Sequence, residues 1–171
     1  MKFTYMKTPL RRYTFENRKI REWVETYATG NVLNLFAGKT HLNCHEVRND
    51  LREEMPADFH MDALEFVETW DKNKPFDSVI LDPPYAYRKS MTKYEGAVSS
   101  PFNKVKDTIP SILKPEGVVI TFGYHSNVMG EKRGFIQEHI LLMSHGGAIH
   151  DTIAVIERKK KDMLNEYFDY R

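Results

Sequence analysis

The architecture can be read outward from Phe76-Asp77-Ser78-Val79-Ile80-Leu81-Asp82-Pro83-Pro84-Tyr85. Its first six residues have the length and apolar character of a buried strand. Pro83 and Pro84 cannot donate to a sheet ladder, so they end that strand at once. Upstream, Val32-Leu33-Asn34-Leu35-Phe36 is a second short apolar run, closed by Ala37-Gly38 in the manner of a strand entering a tight loop. His45-Glu46-Val47-Arg48 leads to Asn49-Asp50, and Asp58-Phe59-His60-Met61 leads to Asp62, so both strand candidates stop at a carboxylate. Downstream, residues 118–122 read as another buried strand, while 139–144 and 152–157 flank Gly146-Gly147 as a closing antiparallel hairpin. Helical spacing occupies 15–24, 63–70 and 101–113, the last stopped by Lys114-Pro115-Glu116-Gly117. Strands alternating with helices predict an α/β sheet, mostly parallel, with an antiparallel end.

A length of 171 residues suits one domain with one core. Residues 1–30 read as an N-terminal helical extension and 158–171 as a C-terminal tail. Twenty-five Lys and Arg against 24 Asp and Glu leave a formal charge of +1, so affinity for a polyanion has to come from local patches. A single cysteine, Cys44, excludes an intrachain disulfide and a multi-cysteine zinc site. His41, Cys44 and His45 are close in sequence, but no second cluster completes a metal site, and none is expected. With no signal peptide and no apolar run of membrane-spanning length, the expected compartment is the cytoplasm.

In an open parallel sheet, ligands bind beyond the carboxyl ends of the strands. Phe36-Ala37-Gly38 lets a ligand approach the backbone, Asp50 offers an acceptor to ribose hydroxyls, and Asp62-Ala63 can meet the edge of an adenine. Together they describe a nucleoside cofactor. Over roughly residues 32–157 the sequence resembles the class I S-adenosylmethionine-dependent methyltransferases, specifically the amino-methyltransferases with an Asp-Pro-Pro-Tyr tetrad after the fourth strand. The resemblance implies a Rossmann-like, doubly wound, seven-stranded sheet. It also implies S-adenosylmethionine held by Asn34, Phe36, Ala37, Gly38, Asp50, Asp62 and Ala63, and catalysis at Asp82, Pro83, Pro84 and Tyr85. One position departs from the pattern, for the family often carries an acid where this chain has Asn34. The connection from Gly38 to Val47 is also short, which predicts a first helix reduced to a turn or two.

An exocyclic base amine is a poor nucleophile because its lone pair is delocalised into the ring. The Asp82 carboxylate and Pro83 carbonyl can both accept from such an NH2 group, localising the lone pair, and charge assists the first bond. Tyr85 offers a face on which the target base can stack. A duplex base has to flip out to reach it. Adenine N6 in DNA is the first expectation, an RNA base amine the second and cytosine N4 the third, since Asp rather than Asn at 82 favours DNA. The polar segment 86–100, with Tyr87, Arg88, Lys89 and Lys93, is the expected nucleic-acid contact. Gly38-Lys39-Thr40 ends like a phosphate-binding P-loop, but that motif needs a glycine where Leu33 stands. A partner that keeps the fold and only binds nucleic acid or another subunit is a further alternative. Met163, Leu164, Tyr167 and Phe168 form an apolar stripe within 159–171. It packs on the Ile20, Trp23 and Val24 face of the leading helix, or serves a homodimer or a specificity subunit.

Overall fold

The computed structural model describes residues 1–84, 102–147 and 150–161. Strand β4 (Phe76–Leu81) alternates as a strand must. Val79 and Leu81 enter one core with Phe66 and Val105, while Ile80 enters the other with Ile20 and Val24. Helices α2 (Ala63–Thr69) and α3 (Phe102–Thr108) therefore cover one face of the sheet, and α1 (Arg18–Glu25) covers the opposite face. The remaining strands are β1 (Lys2–Lys7), β2 (Val32–Asn34), β3 (Glu46–Arg48), β5 (Leu113–Gly123), β6 (Phe135–Ser144) and β7 (Thr152–Lys159). Their order across the sheet is β1-β6-β7-β5-β4-β2-β3. Every ladder is parallel except the two made by β7. This is the doubly wound, mostly parallel α/β sheet expected, with β6 and β7 as its antiparallel hairpin.

Three features differ from expectation. The opening residues are not wholly helical, because Lys2–Lys7 form a strand that pairs in parallel with β6 and becomes the sheet edge, which places the hairpin inside. The predicted strand at 58–61 is reduced to a single bridge between Asn49 and Phe59. There the Asp58 carboxylate accepts from the Arg48 amide at 2.8 Å, so a side chain occupies a donor that a longer ladder would use. No helix occurs between β2 and β3, not even the turn or two predicted. Ile20 and Val24 are buried in one core with Leu141, Met143, Ala154 and Ile156 of β6 and β7.

The helix predicted over 101–113 stops early for a local reason. Pro110 has no amide hydrogen, so α3 gives way to a 3-10 turn at Ile109–Ser111 and β5 starts at Leu113. The architecture matters for function because the chain runs from β2 to β3 on one flank and then returns from β3 past β2 to β4 on the other. The carboxyl ends of β2 and β4 thus lie side by side at the switch in winding direction, where a crevice opens.

Candidate active site

A cavity of about 490 Å³ lies at these carboxyl ends. It is lined by Leu35, Phe36, Ala37 and Gly38 after β2, Asn49 and Asp50 after β3, Met61, Asp62 and Ala63 before α2, and Asp82, Pro83 and Pro84 after β4. Residues distant in sequence are thereby brought to one wall by strand ends alone. Of the residues singled out from sequence, Phe36, Ala37, Gly38, Asp50, Asp62, Ala63, Asp82, Pro83 and Pro84 share this cavity. Tyr85, Tyr87, Arg88, Lys89 and Lys93 lie outside the described residues, as do Met163, Leu164, Tyr167 and Phe168. Asn34 does not line the cavity: it is fully buried on β2, and its Nδ2 donates to Glu46 Oε2 at 3.1 Å.

Gly38 stands at φ +57, and a Cβ added there would lie 3.2 Å from Tyr13 Cδ1. The left-handed backbone favours glycine, and the nearby ring would crowd any larger residue. The Gly38 amide donates to Asp50 Oδ2 at 2.8 Å, and the Ala37 amide to the Asn49 carbonyl at 2.9 Å. Asp50 Oδ1 accepts from the Arg52 amide at 3.0 Å. Its carboxylate is therefore a clamp on the glycine loop as well as a wall of the cavity. Asp62 caps α2, its Oδ1 accepting from the amides of Leu64 at 3.0 Å and Glu65 at 3.5 Å. Asp82 is half-buried and Pro83 buried, while Pro84 is exposed at the rim.

The sequence pattern does not place the arm that completes the cavity wall. Pro9, Leu10, Arg11, Arg12, Tyr13, Thr14 and Phe15 all line the cavity. The root of the arm is fixed: the Thr8 amide donates to the Ser144 carbonyl at 2.9 Å, and Asn17 Nδ2 donates to the Thr8 hydroxyl. His145, itself a lining residue, donates from Nδ1 to the Thr8 carbonyl at 2.9 Å, with Nε2 2.8 Å from the Thr152 hydroxyl. The guanidinium groups of Arg12 and Arg52 lie 5.6 and 5.8 Å from the Tyr13 ring centre, within cation–π range. The one signal in the sequence is the aromatic and basic mixture in residues 1–18, which has no helical or strand period to locate it.

Cys44 lies away from the cavity, and burial, followed by the charges of Glu46 and Glu25, pushes its thiol up to about 11. A thiol so placed stays protonated near neutrality and is a poor nucleophile. Among the described residues no group of three or more His, Cys, Asp or Glu side chains is arranged to hold a metal ion. No described helix is long and apolar enough to cross a membrane.

No family model and no curated protein matches the sequence. Solved structures do match the fold. N-methyltransferase NodS from Bradyrhizobium japonicum WM9 superposes over 89% of this chain and 100% of its own, with a TM-score of 0.57 and 13% identity. The 1,6-didemethyltoxoflavin-N1-methyltransferase of Burkholderia thailandensis, solved with 1,6-didemethyltoxoflavin and S-adenosylhomocysteine, matches over 84% of this chain and 78% of its own, with a TM-score of 0.60 and 13% identity. TrmN from Thermus thermophilus matches over 86% of this chain at a TM-score of 0.59 and 14% identity, and this chain spans 50% of its length. The chain thus has the Rossmann-like fold found in these methyltransferases.

Proposed function

We propose that this protein is an S-adenosylmethionine-dependent methyltransferase acting on the exocyclic amino group of a nucleic-acid base, adenine N6 in DNA first. The observation that carries the reading is the meeting of Asp82-Pro83-Pro84 with the Phe36–Gly38 loop, Asp50 and Asp62 around one cavity. Its volume, about 490 Å³, suits a nucleoside-sized ligand. The fit also has specific chemistry. Gly38 keeps the loop surface free of a side chain, and Asp50, Asp62 and Ala63 line the same cavity, where Asp50 would hold ribose hydroxyls and the Asp62-Ala63 corner the edge of the adenine. The cofactor supplies an electrophilic methyl group on a sulfonium. Asp82 and the Pro83 carbonyl accept from the target NH2, localise its lone pair and aim it, and Tyr85 stacks the base. By orienting the target nitrogen towards that methyl group, these residues would lower the barrier through positioning alone.

Polymer recognition is supported by the arm. Arg11 and Arg12 are exposed, and no ion pair among the described residues engages either one. They stand at the mouth of the cavity as two cations open to phosphate. Tyr87, Arg88, Lys89 and Lys93 supply a second contact in this reading. A base amine in RNA is the second choice, because the same arginines and carboxylate meet identical groups there. A specificity subunit or second copy docking through residues 159–171 belongs to the same proposal. Light scattering of the full chain beside one ending at Arg158 tests it, and two monomers of equal activity would remove the docking element.

The deciding experiment supplies methyl-labelled cofactor with separate pools of DNA, RNA, protein and free nucleosides. Label is expected at N6 of adenine in DNA, and label in RNA alone selects the second choice. Equal turnover of free nucleosides would overturn the polymer assignment. Calorimetry without heat for S-adenosylmethionine would overturn the reading at its root.

A further inference from the structure

Between β2 and β3 the expected helix is missing, yet the loop it would have supported is held firmly by one side chain. Arg48 ends β3 and is 2% exposed. Its Nε donates to the Pro56 carbonyl at 2.8 Å, NH1 to the Thr40 carbonyl at 3.1 Å and to Glu46, and NH2 to the Ala37 carbonyl at 3.2 Å and the Gly38 carbonyl at 2.9 Å. A guanidinium has five N–H donors, and here five acceptors meet them. Glu46, on the same strand, neutralises the charge and is itself held, Oε1 accepting from the Leu42 amide and Oε2 from Asn34 Nδ2, each at 3.1 Å. The chain of bonds runs from Asn34 through Glu46 and Arg48 to the two carbonyls of the glycine loop. Asn49 and Asp50 take the amides of the same two residues, so the loop is fixed on both of its polar sides.

We propose that Arg48 is the positioning residue of the cofactor loop, its guanidinium replacing the missing helix, with Asn34 and Glu46 as its anchor. This rests on the methyltransferase reading above. It also explains Asn34. A carboxylate at 34 would face the Glu46 carboxylate directly, with no donor left between them, so an amide is required where relatives of the motif often carry an acid. The buried Asn34 Oδ1, which has no hydrogen-bond partner, follows from the same constraint: Glu46 only accepts, so the amide must turn its nitrogen towards it.

Two variants test this, each read by calorimetry with S-adenosylmethionine, by KM and kcat, and by thermal melting without ligand. Arg48→Lys keeps the charge but offers three donors from a single point, which cannot reach five acceptors. The expected result is a cofactor KM and Kd raised about ten-fold, the size of one or two lost hydrogen bonds, with kcat falling by less than KM rises. Asn34→Asp preserves size and so tests the network even where the lysine variant does not fold. Its added carboxyl keeps a proton at low pH and then substitutes for the amide donor, so cofactor affinity should approach the parent value there and fall as pH rises. A merely structural role would lower melting temperature without this pH-dependent loss of affinity. Parent-like affinity for both variants across pH, or tighter binding by Asn34→Asp, overturns the proposal while leaving the methyltransferase reading intact. Failure of the parent protein to bind the cofactor overturns both.

Discussion

Asp82 sits one residue past the end of β4, and its location explains why a change there should separate chemistry from binding. On the proposed mechanism, Asp82→Ala removes the charged acceptor for the target amine but leaves the Phe36–Gly38 loop and Asp50 untouched. Methyl transfer should fall by at least about 100-fold, the scale at which loss of one preorganised electrostatic group is felt. Cofactor affinity by calorimetry should change little, and full turnover by Asp82→Ala would remove Asp82 from the mechanism. Asp82→Asn should retain a fraction of the rate, because an amide oxygen still accepts without charge assistance. Asp50 presents the opposite case. Its carboxylate holds the Gly38 amide as well as facing the cavity, so Asp50→Ala should raise the cofactor Kd well above any change in kcat. Equal cofactor affinity for Asp50→Ala and the parent would exclude that role. Asp82 is legible in the sequence because it follows an apolar run, whereas Asp50 follows the mostly polar Glu46-Val47-Arg48-Asn49 and is marked only by its place at the end of a short strand candidate. Arg48 is not legible, since arginine is ordinarily a surface residue and nothing local marks one that will meet five acceptors.

Among the elements, legibility follows burial. β2, β4 and the second half of β5 are covered on both faces, so they read as continuous apolar runs. β1 has no such signature because an edge strand keeps much of its surface in water, with Phe3 62% and Tyr5 59% exposed. α2 is readable from the helical spacing of its apolar face, and that face makes a sharp prediction. Phe66 is 2% exposed, with ring centres of Phe59 and Trp70 each 5.3 Å away. Phe66→Ala should cost about 3–5 kcal/mol in chemical denaturation, as deletion of a buried aromatic generally does. A loss below about 1 kcal/mol would mean the cluster collapses around the gap. The arm between β1 and α1 predicts a different observable, because its arginines face outward. Replacing Arg11 and Arg12 together by Ala should weaken binding of a labelled oligonucleotide and flatten the dependence of log affinity on log salt by about 0.7–0.9 for each phosphate no longer neutralised. An unchanged salt slope would take the arm out of the nucleic-acid interface, whatever happened to activity.

Across the molecule, the sheet edge is tied to the helix layer by His139, through an arrangement that no local pattern could announce. The imidazole lies on β6, 135 residues from its partner Thr4, whose hydroxyl is 2.8 Å from Nε2. On the other side, Tyr27 Oη is 2.6 Å from Nδ1, and the rings of Trp23 and Tyr27 pack at 5.3 and 5.5 Å. Burial first, and the nearby charge of Lys2 second, hold this histidine below its ordinary value of 6.5. An unfolded chain therefore takes up a proton near pH 6.5 while the folded chain still resists it, and through that interval the unfolded state binds more protons. Stability must then rise with pH across the interval and fall on acidification below about 6.5. Asp77 does not confuse the reading: the Lys114 hydrogen bond holds its carboxyl below 3.8, so its contribution is lost only at much lower pH. Melting curves between pH 8 and pH 5 should accordingly show a decline in Tm that His139→Gln reduces, since the variant has no proton to take up. The variant should be the less stable protein at pH 8 and should lose less on going to pH 5. Parallel pH curves for the two proteins would show that the tie between β1, α1 and β6 does not depend on a neutral imidazole.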